Sequence, residues 1–208
     1  MVQNLNLQNF VYHWVPIAGA EETLLLLHGT GGDENDLLSL GQMLNPKANL
    51  LSPRGPVQEN GMPRFFRRLA EGVFDIPDLM QRSRELKEFI SAAAVVYGFD
   101  AEKVTAVGFS NGANIAGALL LLYPGVLKSA VLLHPMVPLT PDELPRLNGT
   151  RVFIGAGSQD PLVSHAETTR LSALLKKAGV EVTLFWSNGG HGLSREEIQA
   201  AALWMQNT

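Results

Sequence analysis

The chain returns again and again to the same kind of segment: a short, almost unbroken run of Val, Ile, Leu, Ala and Phe, separated from the next by a stretch of helical length. Successive side chains on a strand point to opposite faces, so a strand can be apolar throughout only if both faces are covered. The runs Phe10–Val15, Thr23–His28, Ala48–Ser52, Val104–Phe109, Ser129–His134, Val152–Ala156 and Val180–Phe185 read as such strands. Helices are expected at Glu34–Leu44, Pro77–Tyr97, Asn111–Leu122, His165–Lys177 and Ser194–Met205. Gly98, Pro124 and Gly179 stop three of them, and Ser194 with Glu197 forms a capping box for the last. The alternation predicts an α/β fold: a mostly parallel sheet of about seven strands with helices on both faces.

With 208 residues and no repeat, linker or low-complexity tract, residues 1–208 are expected to form a single domain without a separate lid. No cysteine is present, which excludes a disulfide framework, a thiolate metal site and a cysteine nucleophile. A formal net charge of -4 disfavours nucleic acid as a partner. Met1–Phe10 has neither a basic start nor a long apolar stretch, so it does not read as a signal peptide. No window approaches the roughly 20 apolar residues of a membrane span. The expectation is a soluble cytoplasmic protein.

Gly108-Phe109-Ser110-Asn111-Gly112 directly follows the run Val104–Val107 and directly opens the helix Asn111–Leu122. A GxSxG pattern alone is weak in a glycine-rich chain. In this strand–turn–helix setting it reads as a nucleophile elbow, a turn so tight that only small flanking residues let it close. The plainer alternative is a glycine-rich turn with no chemistry. A serine hydroxyl needs a neighbouring base. His13 and His28 precede the serine, against the chain order of serine, acid, then histidine. His165 opens a helix, where solvent is the usual neighbour. His191, in Asn188-Gly-Gly-His-Gly, follows the last strand, and its flanking glycines would let the ring swing over the elbow. His191 is therefore the preferred base, and His134 a supporting or pocket-wall residue. Asp160, in the turn after Val152–Ala156, is the preferred acid over Asp142, which sits between prolines. His28-Gly29-Thr30-Gly31-Gly32 follows an apolar strand and can offer an oxyanion donor. The donors would be the backbone N–H groups of Thr30 and Asn111. The rival phosphate-cradling reading lacks both GxGxxG and GxxxxGK[ST].

On His28–Gly32, Gly108–Gly112, Asp160 and His191, the chain resembles the phospholipase/carboxylesterase family of α/β hydrolases, which includes acyl-protein thioesterases. Ser52-Pro-Arg-Gly-Pro56 and Arg67-Arg-Leu-Ala-Glu-Gly72 make it most similar to a bacterial carboxylesterase subgroup linked to quinone and catechol stress. The resemblance implies the α/β-hydrolase fold and a Ser110–His191–Asp160 triad with Thr30 and Asn111 as oxyanion donors. It also implies ester or thioester hydrolysis through an acyl-serine without metal or cofactor, and often a homodimer. Thioesterase members commonly carry Gln where this chain has Asn111, which favours the esterase over the thioesterase.

Residues 53–75 show no clean period and read as an irregular loop over the site. Met62, Phe65 and Phe66 would form an apolar pocket with a cationic rim of Arg54, Arg64, Arg67 and Arg68. The plainer reading pairs those arginines with Glu34, Glu71 or Asp75. Met136, Val163 and Leu193 are further wall candidates by position, and the expected substrate is a small soluble ester. A non-catalytic ligand-binding protein on the same fold is the alternative.

Overall fold

Thr23–Leu27 (β2) holds four consecutive leucines, all fully buried because they are shared between two cores. Leu25 and Leu27 pack with Phe89, Leu119 and Leu171 on one face of the sheet. Leu24 and Leu26 pack with Leu40, Leu44 and Trp204 on the other. Each fully buried leucine contributes roughly 1.5–3 kcal/mol relative to exposure, so such a strand is stable only in the middle of a covered sheet.

The computed structural model describes residues 7–207, without the side chain of Gln8. Residues 1–6, which belong to the segment read as carrying no leader, lie outside the described residues. The main sheet contains β1 (Tyr12–Val15), β2, β3 (Asn49–Pro53), β8 (Val104–Phe109), β9 (Ser129–Leu133), β10 (Arg151–Gly157) and β11 (Glu181–Ser187). Their order is β1-β3-β2-β8-β9-β10-β11, with only β1 antiparallel to its neighbour. The helices α2 (Ile76–Tyr97), α3 (Asn111–Leu122) and α4 (His165–Lys177) cover one face, while α1 (Leu38–Leu44) and α5 (Arg195–Gln206) cover the other. This is the α/β-hydrolase fold, and among the described residues no lid unit stands over the sheet and no helix is long and apolar enough to cross a membrane.

Most boundaries fall within two residues of expectation, and two larger departures have local reasons. The first helix begins at Leu38 rather than Glu34, because residues 34–37 form turns and Glu34 is occupied by Arg54. The segment 53–75 is not an irregular loop. It folds into two small hairpins, β4 (Val57–Glu59) with β5 (Met62–Arg64) and β6 (Arg68–Ala70) with β7 (Val73–Phe74). Strands of two or three residues are too short to show a period. The turn chemistry was nonetheless present: Asn60 and Gly61 both take positive φ, 52° and 80°, as a two-residue hairpin turn demands.

The chain leaves β2 toward one edge of the sheet and β8 toward the other. The carboxyl ends of these adjacent strands therefore border the crevice where open α/β sheets bind ligands.

Candidate active site

Ser110 is the single residue between the end of β8 and the start of α3, and it sits at φ 51°, ψ -112°. A non-glycine residue there stores roughly 1–3 kcal/mol of strain. Glycines make the turn sterically feasible. A Cβ on Gly108 would lie 2.6 Å from the backbone of Gly112 and Ala113, and one on Gly112 would lie 1.9 Å from the carbonyl oxygen of Leu27. The missing Gly112 side chain thus also lets α3 dock against the end of β2, where the glycine-rich loop begins.

The structure brings Ser110, His191 and Asp160 together. His191 Nε2 lies 2.9 Å from Ser110 Oγ, and its Nδ1 lies 2.8 Å from Asp160 Oδ2. A carboxylate can only accept, so Nδ1 carries the proton and Nε2 presents its lone pair to the serine hydroxyl. The other oxygen, Oδ1, accepts the N–H groups of Leu162 at 2.8 Å and Val163 at 3.0 Å. Burial alone would push the Asp160 carboxyl up. The hydrogen bonds from His134, His191 and the two backbone donors outweigh it and hold the group below the ordinary carboxylate range.

Two backbone hydrogen bonds anchor the His191 loop. Ser158 N–H donates to Ser187 O and Gln159 N–H to Gly189 O, both at 2.8 Å, which ties it to the Asp160 turn. The close approach is made at Gly157 of the Asp160 turn, where a Cβ would meet Gly190 O at 2.2 Å, while Gly189, Gly190 and Gly192 themselves have room.

Across the crevice, Gly31 N–H donates to Pro63 O and Gly32 N–H to Gly29 O. Among the described residues the N–H groups of Thr30 and Asn111 have no such partner, so both remain available to an oxygen in the cleft. His28 braces this loop. Its Nδ1 donates to Gly29 O at 2.6 Å and its Nε2 accepts from Gly55 N–H at 2.9 Å. Burial lowers its proton affinity, in keeping with a neutral ring that needs one nitrogen free to accept.

The cleft is small, about 60 Å³. Of the expected wall residues, Arg64, His134, Met136 and Val163 border it. Phe65 and Phe66 do not: both are essentially fully buried and belong to the core under α2. Met62 is exposed and packs over Gly31, and Leu193 packs on the α1–α5 core. Phe65 and Phe66 follow β5 in a bend, where no periodicity along the chain marks which side is buried. Arg68, expected on the rim, also lines the cleft, and Glu71, Phe74, Asn114 and Leu162 line it without having been expected there. Nor was Glu197, buried 3.2 Å from His134, expected at the site; its capping-box position pointed to the helix end but not to the histidine. The unchosen candidates lie elsewhere. His13 bonds Asn35, His165 stacks on Trp186, and Asp142 is exposed in the β9–β10 connection.

The arginines pin the hairpins. Arg54 pairs with Glu34 and Arg67 with Asp75, as the plainer reading held, whereas Arg64 and Arg68 both pair with Glu59. Among the described residues, His134, Asp160 and His191 form the one cluster with ligand atoms close enough, within 4.8 Å, to hold a cation, but those atoms are spent on one another.

A family model described as Phospholipase/Carboxylesterase matches residues 15–208. The chain is 54% identical over 185 residues to the putative hydrolase MhqD of Bacillus subtilis, covering 89% of this chain and 92% of that protein. The crystal structure of a Bacillus cereus carboxylesterase superposes with a TM-score of 0.92 at 49% identity, covering 94% of this chain and 92% of the other. Acyl-protein thioesterase 1 of Candida albicans is 27% identical over 216 residues, covering 91% of this chain and 93% of that protein.

Proposed function

Since this chain belongs to the phospholipase/carboxylesterase family and is a carboxylesterase-type hydrolase, we propose that Ser110 is its nucleophile, His191 the base and Asp160 the residue that orients the base, acting on small carboxylic esters. The observation that carries this reading is the unbroken chain of contacts from Ser110 Oγ through both nitrogens of His191 to Asp160 Oδ2, at 2.9 and 2.8 Å.

In this mechanism Ser110 Oγ attacks the ester carbonyl carbon and its proton passes to His191 Nε2. The oxyanion that forms accepts from the N–H groups of Thr30 and Asn111; losing one such donor typically costs about 2.7–4 kcal/mol of barrier. The ester C–O bond then breaks, and the departing alcohol takes the proton from His191. A water molecule repeats the sequence on the acyl-serine, giving up its proton to His191 and releasing the acid as Ser110 regains its hydrogen.

The small cleft, walled by Phe74, Met136, Leu162 and Val163, suits a short acyl or aryl group better than a long chain, since drug-sized ligands occupy pockets of about 300 Å³ or more. The charges beside it are largely balanced, because Glu59 serves both Arg64 and Arg68 and Glu71 also lines the cleft.

A fluorophosphonate is expected to label the wild-type protein and to leave Ser110→Ala unmarked. The variant should lose at least about 10⁴-fold in kcat on p-nitrophenyl acetate. A wild-type protein that neither labels nor turns over any of a panel of p-nitrophenyl esters and acyl thioesters would instead be a ligand-binding relative.

A further inference from the structure

His134 and Glu197 have no task in the mechanism above, yet both side chains are completely buried, with ring and carboxylate 3.2 Å apart. Burying two ionisable groups is expensive, and three elements of the fold are adapted to it. His134, just past β9, takes φ 54° and donates its backbone N–H to Gly155 O. Gly155 of β10 leaves the space for Glu197, because a Cβ there would lie 2.1 Å from Glu197 Oε1. The capping box with Ser194 fixes Glu197 at the start of α5.

The ring joins two carboxylates. His134 Nδ1 lies 2.9 Å from Asp160 Oδ2, the same oxygen that receives His191, and its Nε2 faces Glu197 Oε2. Carboxylates only accept, so with both ionised both ring nitrogens must donate and the ring is a cation. Burial opposes that charge, but Glu197 and Asp160 outweigh it and lift the proton affinity of His134 above the ordinary histidine range.

We infer that His134, clamped between Asp160 and Glu197, is a positioning residue for the base: it fixes the oxygen that orients His191, while Glu197 holds the far side of its ring. This rests on the assignment of Ser110, His191 and Asp160 given above. The titratable and charged groups that face His134 are Asp160 from the β10 turn, Glu197 from α5 and His191 from the β11–α5 loop, with ring centroids 5.2 Å apart. Arg64, Arg68 and Glu71 lie on the cleft it borders, and Phe109 packs against it edge-on. Removing His134 takes away one of the two imidazole donors that hold Asp160 Oδ2, so His191 is aligned less firmly on Ser110.

The test compares His134→Gln and the double variant His134→Gln/Glu197→Gln with wild type. The single variant strands a buried carboxylate, and the double variant removes both charges and so keeps the experiment interpretable if the single one folds poorly. In the double variant kcat is expected to fall roughly tenfold or more with KM changed less than about twofold. A double variant that folds, labels with fluorophosphonate and keeps the wild-type kcat overturns this inference alone. Wild-type protein that does not label removes the Ser110 assignment, and this inference with it.

Discussion

Gly112 is the residue whose lack of a side chain matters most to the site. The obstacle to a Cβ is the carbonyl group of Leu27, backbone in the middle of the sheet, at 1.9 Å. Flexible side chains can yield at a few tenths of an ångström, but a central strand cannot move aside, so overpacking here should exceed the usual ~1–3 kcal/mol. Gly112→Ala is expected to lower the urea midpoint severely or to leave no soluble folded protein. Gly189→Ala is the control. Its nearest neighbour would be Ser187 Oγ at 3.7 Å, an ordinary contact, and its midpoint should change by less than about 0.5 kcal/mol equivalent.

The β4–β5 hairpin works as a strut for the oxyanion loop. Its Arg64 is 3% exposed, donates Nη1–H to Thr30 Oγ1 at 2.7 Å and Nε–H to Phe66 O at 3.2 Å, and lies in ionic contact with Glu59 of the same hairpin. Pro63 O receives Gly31 N–H. Because Arg64 is already committed to these partners, its substitution should disturb donor placement rather than substrate charge selection. Arg64→Ala is expected to reduce kcat/KM roughly tenfold on neutral esters and carboxylated analogues alike. Arg67→Ala, at an exposed pair with Asp75, should leave both within about twofold. Steady-state rates on matched ester pairs check this; a selective loss on the carboxylated member would restore the cationic rim to a role in recognition.

Three groups at or beside the site contribute to the pH response of the fold in separate windows. His28 has a lowered affinity for protons when folded, so its contribution is complete above its unfolded value of 6.5 and is lost as pH falls below it. Asp160 is depressed below its unfolded 3.8, so its contribution is complete above that value and disappears as pH falls through the still lower folded value. His134 runs the other way: raised in the fold, its contribution is complete below 6.5 and declines as pH climbs through the folded value. Unfolding free energy should therefore peak near pH 6.5, with slopes of at most about 1.4 kcal/mol per pH unit from each group. Urea titrations across pH are expected to show a shallower acid-side decline in His28→Gln, which keeps an acceptor for Gly55 N–H but cannot be protonated.

Much of this protein was legible along the chain because it depends on local pattern and order. The buried Leu run of β2, the glycines around Ser110 and the placement of Asp160 and His191 after successive strands each follow from what a covered parallel sheet needs at its carboxyl edge. The family resemblance carried by those motifs agrees with the family model and relatives. What escaped was everything that depends on which way a side chain turns once distant segments meet. Phe65 and Phe66 looked like pocket walls and are core, while Arg64 beside them reaches Thr30. Glu197 read as a helix cap and also faces His134, 63 positions earlier in the chain. Periodicity records burial but not its partner, and a carboxylate can meet an imidazole across the sheet only when the strands and helices between them have packed.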